Sequence, residues 1–88
     1  MADVAWASKA FFEAHRHDST LTSAPEVCVE VLSDSNSSQE IQEKVVLYFA
    51  HGAEEVWLCH DSGEMTFHLS PTLTAPVSTL FPGFPRQV

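Results

Sequence analysis

Three side chains in this sequence could do phosphate chemistry together: Asp3, Glu30 and Lys44. Asp3 falls at the start of a short alternating run, Glu30 in the middle of a second one, and Lys44 on the helical pattern that follows. If the two runs form neighbouring strands, their carboxylates converge on one point. Two carboxylates, water and a phosphate oxygen are the ligands that Mg²⁺ favours, because it keeps an octahedral shell and much of its water. A lysine beside them would orient a water or offset charge on a phosphate. Spacing alone does not single this set out, since the chain has 12 acidic residues among 88 and some pair of acids always falls close. Each residue also has a plainer reading. Asp3 would be a solvated residue near a chain end, Glu30 an edge-strand carboxylate reaching water, and Lys44 the partner of Glu40 four residues earlier.

The elements that must position these residues are legible from periodicity. Asp3 to Ser8 (DVAWAS) alternates as a short strand does, and Lys9 to His15 (KAFFEAH) suits two helical turns. The polar stretch from Arg16 to Ala24 reads as a loop. Glu26 to Leu32 (EVCVEVL), introduced by Pro25, is the clearest strand. Its Val27, Val29 and Val31 share one face, and Glu26, Cys28, Glu30 and Leu32 share the other. Glu30 therefore lies on a face that would ordinarily be apolar. Glu26 reads as a solvated carboxylate.

Ser33 to Ser38 is a turn, and Ser37 with Glu40 has capping-box spacing. A helix is expected over Ser38–His51, ended by Gly52, with Ile41, Val45, Tyr48 and Phe49 as an apolar stripe that packs on a sheet. Glu55–His60 and Glu64–Leu69 flank Asp61-Ser62-Gly63 as a hairpin. If Asp61 opposes Glu64, then Val56, Leu58, Met65, Phe67 and Leu69 line one face, and Trp57, Cys59, Thr66 and His68 the other. The chain divides into a core over residues 1–70 and a Pro-rich tail over 71–88, with an extended piece near Val77 to Leu80.

Composition narrows the classes. Four Lys and Arg against 12 Asp and Glu give a formal charge of −8, which argues against unaided nucleic-acid binding. No apolar run approaches the ~20 residues of a membrane span, and no secretory signal opens the chain. Cys28 and Cys59 read as free thiols in a reducing cytoplasm. A zinc site is disfavoured: His15 and His17 lie in or beside a loop, and Cys59 and His68 share a face with only Cys28 to join them.

The segments DVAWAS and APEVCVEVLSDSNSSQEIQEKVVLYFAHGAEEVWLCHDSGEMTFH together resemble the Uma family of restriction-endonuclease-like proteins, in the PD-(D/E)XK nuclease superfamily. The match runs from residue 2 to about residue 69, and FPGF at Phe81 to Phe84 echoes the family's tail. The resemblance implies an α/β restriction-endonuclease-like core: a mixed sheet of about four strands with flanking helix. It implies Mg²⁺ as cofactor, DNA as a metal-dependent partner, and phosphodiester hydrolysis as the reaction. Asp3 and Glu30 match the acids of the first and second motifs, and the backbone carbonyl of Val31 would be a further metal ligand. Leu32 stands where the motif lysine usually lies, so Lys44 on the following helix takes that role.

The chain departs from the family pattern at Ala2, where the family has Pro, and at Glu26, where Asp is common. The family also has a helical segment and a strand ahead of the first acid, and this chain starts two residues before Asp3. The implied object is a shortened nuclease core. The alternative is a non-catalytic fragment acting through association, a homodimer or partner covering an exposed sheet edge together with Trp6, Phe11 and Phe12.

Overall fold

A computed structural model of the chain describes residues 4–15 and 23–88. In chain order these residues form β1 (Val4–Trp6), α1 (Lys9–His15), β2 (Val27–Val31), α2 (Ser38–Ala50), β3 (Glu55–Cys59), β4 (Met65–His68) and β5 (Thr74–Ala75). The strands make one mixed sheet in the order β1-β2-β3-β4-β5. The central pair β2 and β3 is parallel and every other pair antiparallel. A parallel pair needs a crossover, and α2 supplies it. The sheet has one strand more than the sequence suggested. The added one, β5, lies at Thr74–Ala75 rather than near Val77 to Leu80.

Local signals explain α2. Ser37 is the N-cap: its hydroxyl accepts the Glu40 N–H at 3.1 Å, and the Glu40 carboxylate accepts the Ser37 N–H at 3.2 Å. The helix ends at Ala50, His51 caps it, and Gly52 turns the chain with φ +103°. The Ala53 N–H then returns to the Tyr48 carbonyl at 3.0 Å. Val45, Tyr48 and the half-buried Ile41 and Phe49 pack on Cys28, Val56 and Leu58, so α2 covers the even-numbered face of β2 and β3.

The hairpin differs from the expected register. His60 donates its N–H to the Glu64 carbonyl at 2.9 Å, and Gly63, with φ +88°, donates to His60 at 2.8 Å. The loop is therefore the three residues 61–63 with glycine in the left-handed position, and His60 rather than Asp61 opposes Glu64. A one-residue slip exchanges the faces of β4. Met65 pairs with Cys59, Phe67 with Trp57 and His68 with Val56. Met65 and Phe67 thus join Val27 and Trp57 in a second core on the face away from α2. Cys59 and His68 stand on opposite faces, which removes the zinc pairing considered above. No group of three or more His, Cys, Asp or Glu able to hold a metal occurs among the described residues.

Residues after Ser70 help close this second face. Trp57 meets Phe67 edge-on at 5.2 Å and Phe84 at 4.7 Å, while Trp6 meets Phe81 at 5.0 Å. Met65 donates its N–H to the Arg86 carbonyl at 2.8 Å, and Val88 donates to the Gly63 carbonyl at 2.8 Å. No helix among the described residues is long and apolar enough to cross a membrane.

Candidate active site

Glu30 sits in the next-to-last ladder position of an inner strand, opposite Leu58 on β3, and is 4% exposed. β2 lies between β1 and β3, so the edge-strand reading of Glu30 does not hold. Leaving such a carboxylate in an apolar layer would be costly without partners. α2 supplies them. Lys44 donates from Nζ to Glu30 Oε1 at 2.7 Å, and Tyr48 donates its hydroxyl to Glu30 Oε2 at 3.3 Å. Lys44 and Tyr48 are four residues apart and so share the helix face turned to the sheet. Lys44 pairs with Glu30 rather than with Glu40, whose carboxylate is engaged in the cap.

The pair opens onto a pocket of about 140 Å³ lined by Glu30, Val31, Leu32, Asn36, Glu40 and Lys44. It lies where β2 runs out into the turn before α2. Val31 turns its side chain to the opposite face with Val27 and Val29, so its backbone is what borders this pocket. Lys44 is the one basic residue lining it among the described residues. Asp3 lies outside the described residues. The β1–β2 ladder records Val4, the residue after Asp3, opposite Val29, the residue before Glu30.

The same carboxylate acts on Cys28, two residues earlier on the same face. Burial first, and then the charge of Glu30, push the Cys28 thiol up from 9.0 to about 11. A thiol that keeps its proton in the folded chain but loses it near pH 9 in the unfolded chain makes folding less favourable as pH rises from about 9 to 11. The melting temperature is expected to fall across that window, and Cys28→Val should flatten the fall. Equal slopes for both proteins in thermal melts at pH 8, 9.5 and 11 would refute it.

A second buried carboxylate, which periodicity did not single out, is Glu55. It is 2% exposed on the face opposite Glu30. Its Oε1 accepts Trp57 Nε1–H at 2.8 Å and the Ser78 hydroxyl at 2.6 Å. Its Oε2 accepts the N–H groups of Thr79 at 2.9 Å and Leu80 at 2.8 Å. Four donors make Glu55 an anchor for the C-terminal segment. Glu26, read as solvated, accepts the Ser8 N–H.

The polar groups around Glu30 are of the kind that a small hard cation prefers. The donors are oxygens, the pocket has room for about four waters at ~30 Å³ each, and one or two protein carboxylates are what Mg²⁺ requires. The ammonium of Lys44 stands within reach of anything bound there.

Residues 1–80 match the family described as "Uma2: Putative restriction endonuclease". Among solved structures, the chain is similar to "a putative nuclease belonging to DUF820" from Anabaena variabilis ATCC 29413. That likeness has 21% identity and a TM-score of 0.51, and covers 64% of this chain and 34% of the other. It shows a shared α/β fold, with this chain matching about a third of that protein's length. No curated protein matches.

Proposed function

The chain belongs to the Uma2 family, and from that premise we propose that the Glu30–Lys44 pocket is a Mg²⁺-dependent phosphodiester-hydrolysing site acting on DNA. The observation that supports this most is the 2.7 Å contact between Lys44 Nζ and a carboxylate buried everywhere except toward an open polar pocket. Glu30, with Asp3 as the second carboxylate and the Val31 carbonyl as a further oxygen, would hold the cation. A bound Mg²⁺ supplies Lewis-acid polarisation of the phosphoryl oxygen and a more acidic water.

The chain's own groups do the rest. Glu30 fixes the cation-binding oxygen, because its strand and the Tyr48 hydroxyl leave it little freedom. Lys44 orients the attacking water and offsets negative charge as the P–O bond to the leaving sugar oxygen breaks. With only four basic residues, Lys9, Arg16, Lys44 and Arg86, the chain has little to hold a duplex by its phosphates, so DNA binding should depend on the cation. Supercoiled plasmid is the substrate for the test. Nicking in Mg²⁺ or Mn²⁺ that stops with EDTA supports the proposal, and nicking that persists in EDTA refutes its metal requirement.

A second reading rests on the other face of the sheet. An apolar groove of about 410 Å³ runs there, lined among others by Val4, Trp6, Val29, Val31, Met65 and Phe84. Val4, Trp6, Val31 and Phe84 are exposed, and β1 is an edge strand. Exposed apolar surface beside a strand that lies at the sheet edge among the described residues favours association with a second copy. Sedimentation of a single monomeric species at high protein concentration would dispose of that reading.

A further inference from the structure

Glu30 is approached from two sides. Lys44 reaches Oε1 from the open pocket, whereas Tyr48, itself buried and absent from the pocket's lining, reaches Oε2 from the interior. The aromatic ring of Tyr48 belongs to the α2 core with Val45, Val56 and Leu58. Core packing explains the ring but not the hydroxyl, which in a purely apolar role would be better replaced by hydrogen. Its position on the same helix face as Lys44, one turn later, makes the two donors a matched pair across a single carboxylate.

We infer that Tyr48 is a positioning residue for cation binding: its hydroxyl holds Glu30 Oε2 on the closed side and so presents Oε1 to the pocket. The inference rests on the cation-binding reading of Glu30. A carboxylate rotates easily about its last bond when it is free. Held by a hydroxyl behind it, it meets an incoming cation without first being ordered, and the hydroxyl polarises with it. Without that hydroxyl the pocket keeps its volume and its charge, but Glu30 loses the donor that holds Oε2 on the closed side.

Tyr48 is the one tyrosine in the chain, which allows a direct measurement on the native sequence. Protein grown with 3-fluorotyrosine carries a single ¹⁹F resonance, and a Mg²⁺ titration should shift it to saturation, with no shift in Glu30→Gln. In parallel, Mn²⁺ binding followed by electron paramagnetic resonance should weaken about tenfold to a hundredfold in Tyr48→Phe, the range for loss of one hydrogen bond to a charged group. The melting temperature of Tyr48→Phe is expected to move little.

Wild-type binding of Mn²⁺ that is lost in Glu30→Gln but unchanged in Tyr48→Phe overturns the Tyr48 assignment alone. Absence of binding in the wild type overturns the assignment together with the cation-binding reading. Should Tyr48→Phe fail to fold, the ¹⁹F titration decides: a resonance that does not move while Mn²⁺ binds the wild type through Glu30 refutes the inference.

Discussion

Glu55→Ala is expected to cost the fold about 3–5 kcal/mol, out of the roughly 5–15 kcal/mol typical of small domains. The reason is the number of donors one carboxylate satisfies. Trp57 Nε1, the Ser78 hydroxyl and the N–H groups of Thr79 and Leu80 all end on it. Each buried donor left without a partner costs about 1–3 kcal/mol, less when water can enter, and the losses are not additive. Alanine also frees residues 78–81 from the sheet, and with them Phe81, which packs on Trp6 and Trp57. Glu55→Gln should be milder, since it keeps the volume but turns an amide N–H₂ toward groups that are themselves donors. Urea unfolding followed by tryptophan fluorescence measures both. Midpoints within error of wild type would show that the four contacts do not anchor the segment.

Lys44→Gln is expected to move activity and cation affinity in opposite directions. In the proposed role Lys44 faces the reacting phosphate, and removing one such charged donor should lower cleavage by about 10²–10³-fold. The same substitution removes a positive charge 2.7 Å from Glu30 Oε1, a charge that competes with any cation for that oxygen. At an effective dielectric between those of the protein surface and water, two like charges about 4 Å apart repel by roughly 1–4 kcal/mol. The Mn²⁺ affinity of Lys44→Gln should therefore rise by about fivefold or more. Lys44 is about half exposed, so water screens part of this effect. A fall in both quantities would mean that Lys44 helps to build the cation site rather than competing for it.

Much of the site was readable from local pattern. The Ser37–Glu40 cap set the start of α2, and that start fixes which residues look toward the sheet. Strand alternation put Glu30 on the apolar face beside Cys28. What local pattern could not give were choices made between distant residues. Lys44 had two carboxylates within plausible reach, and only the packing of α2 on β2 selects Glu30 over Glu40. Tyr48 read as one member of an apolar stripe because periodicity records the ring and not where its hydroxyl ends. The hairpin went astray by one residue because Asp61-Ser62-Gly63 supports either of two loop lengths. Glu55 was passed over because its partners at Ser78, Thr79 and Leu80 lie more than 20 residues away in a segment without periodicity.

Glu30, buried beneath an open pocket, is the residue on which the proposed site depends. The most direct measurement is plasmid cleavage by wild-type protein and Glu30→Ala, purified identically and assayed side by side in Mg²⁺. The account predicts nicking by the wild type and its loss in Glu30→Ala. Equal cleavage by the two proteins, or none by either, would contradict it.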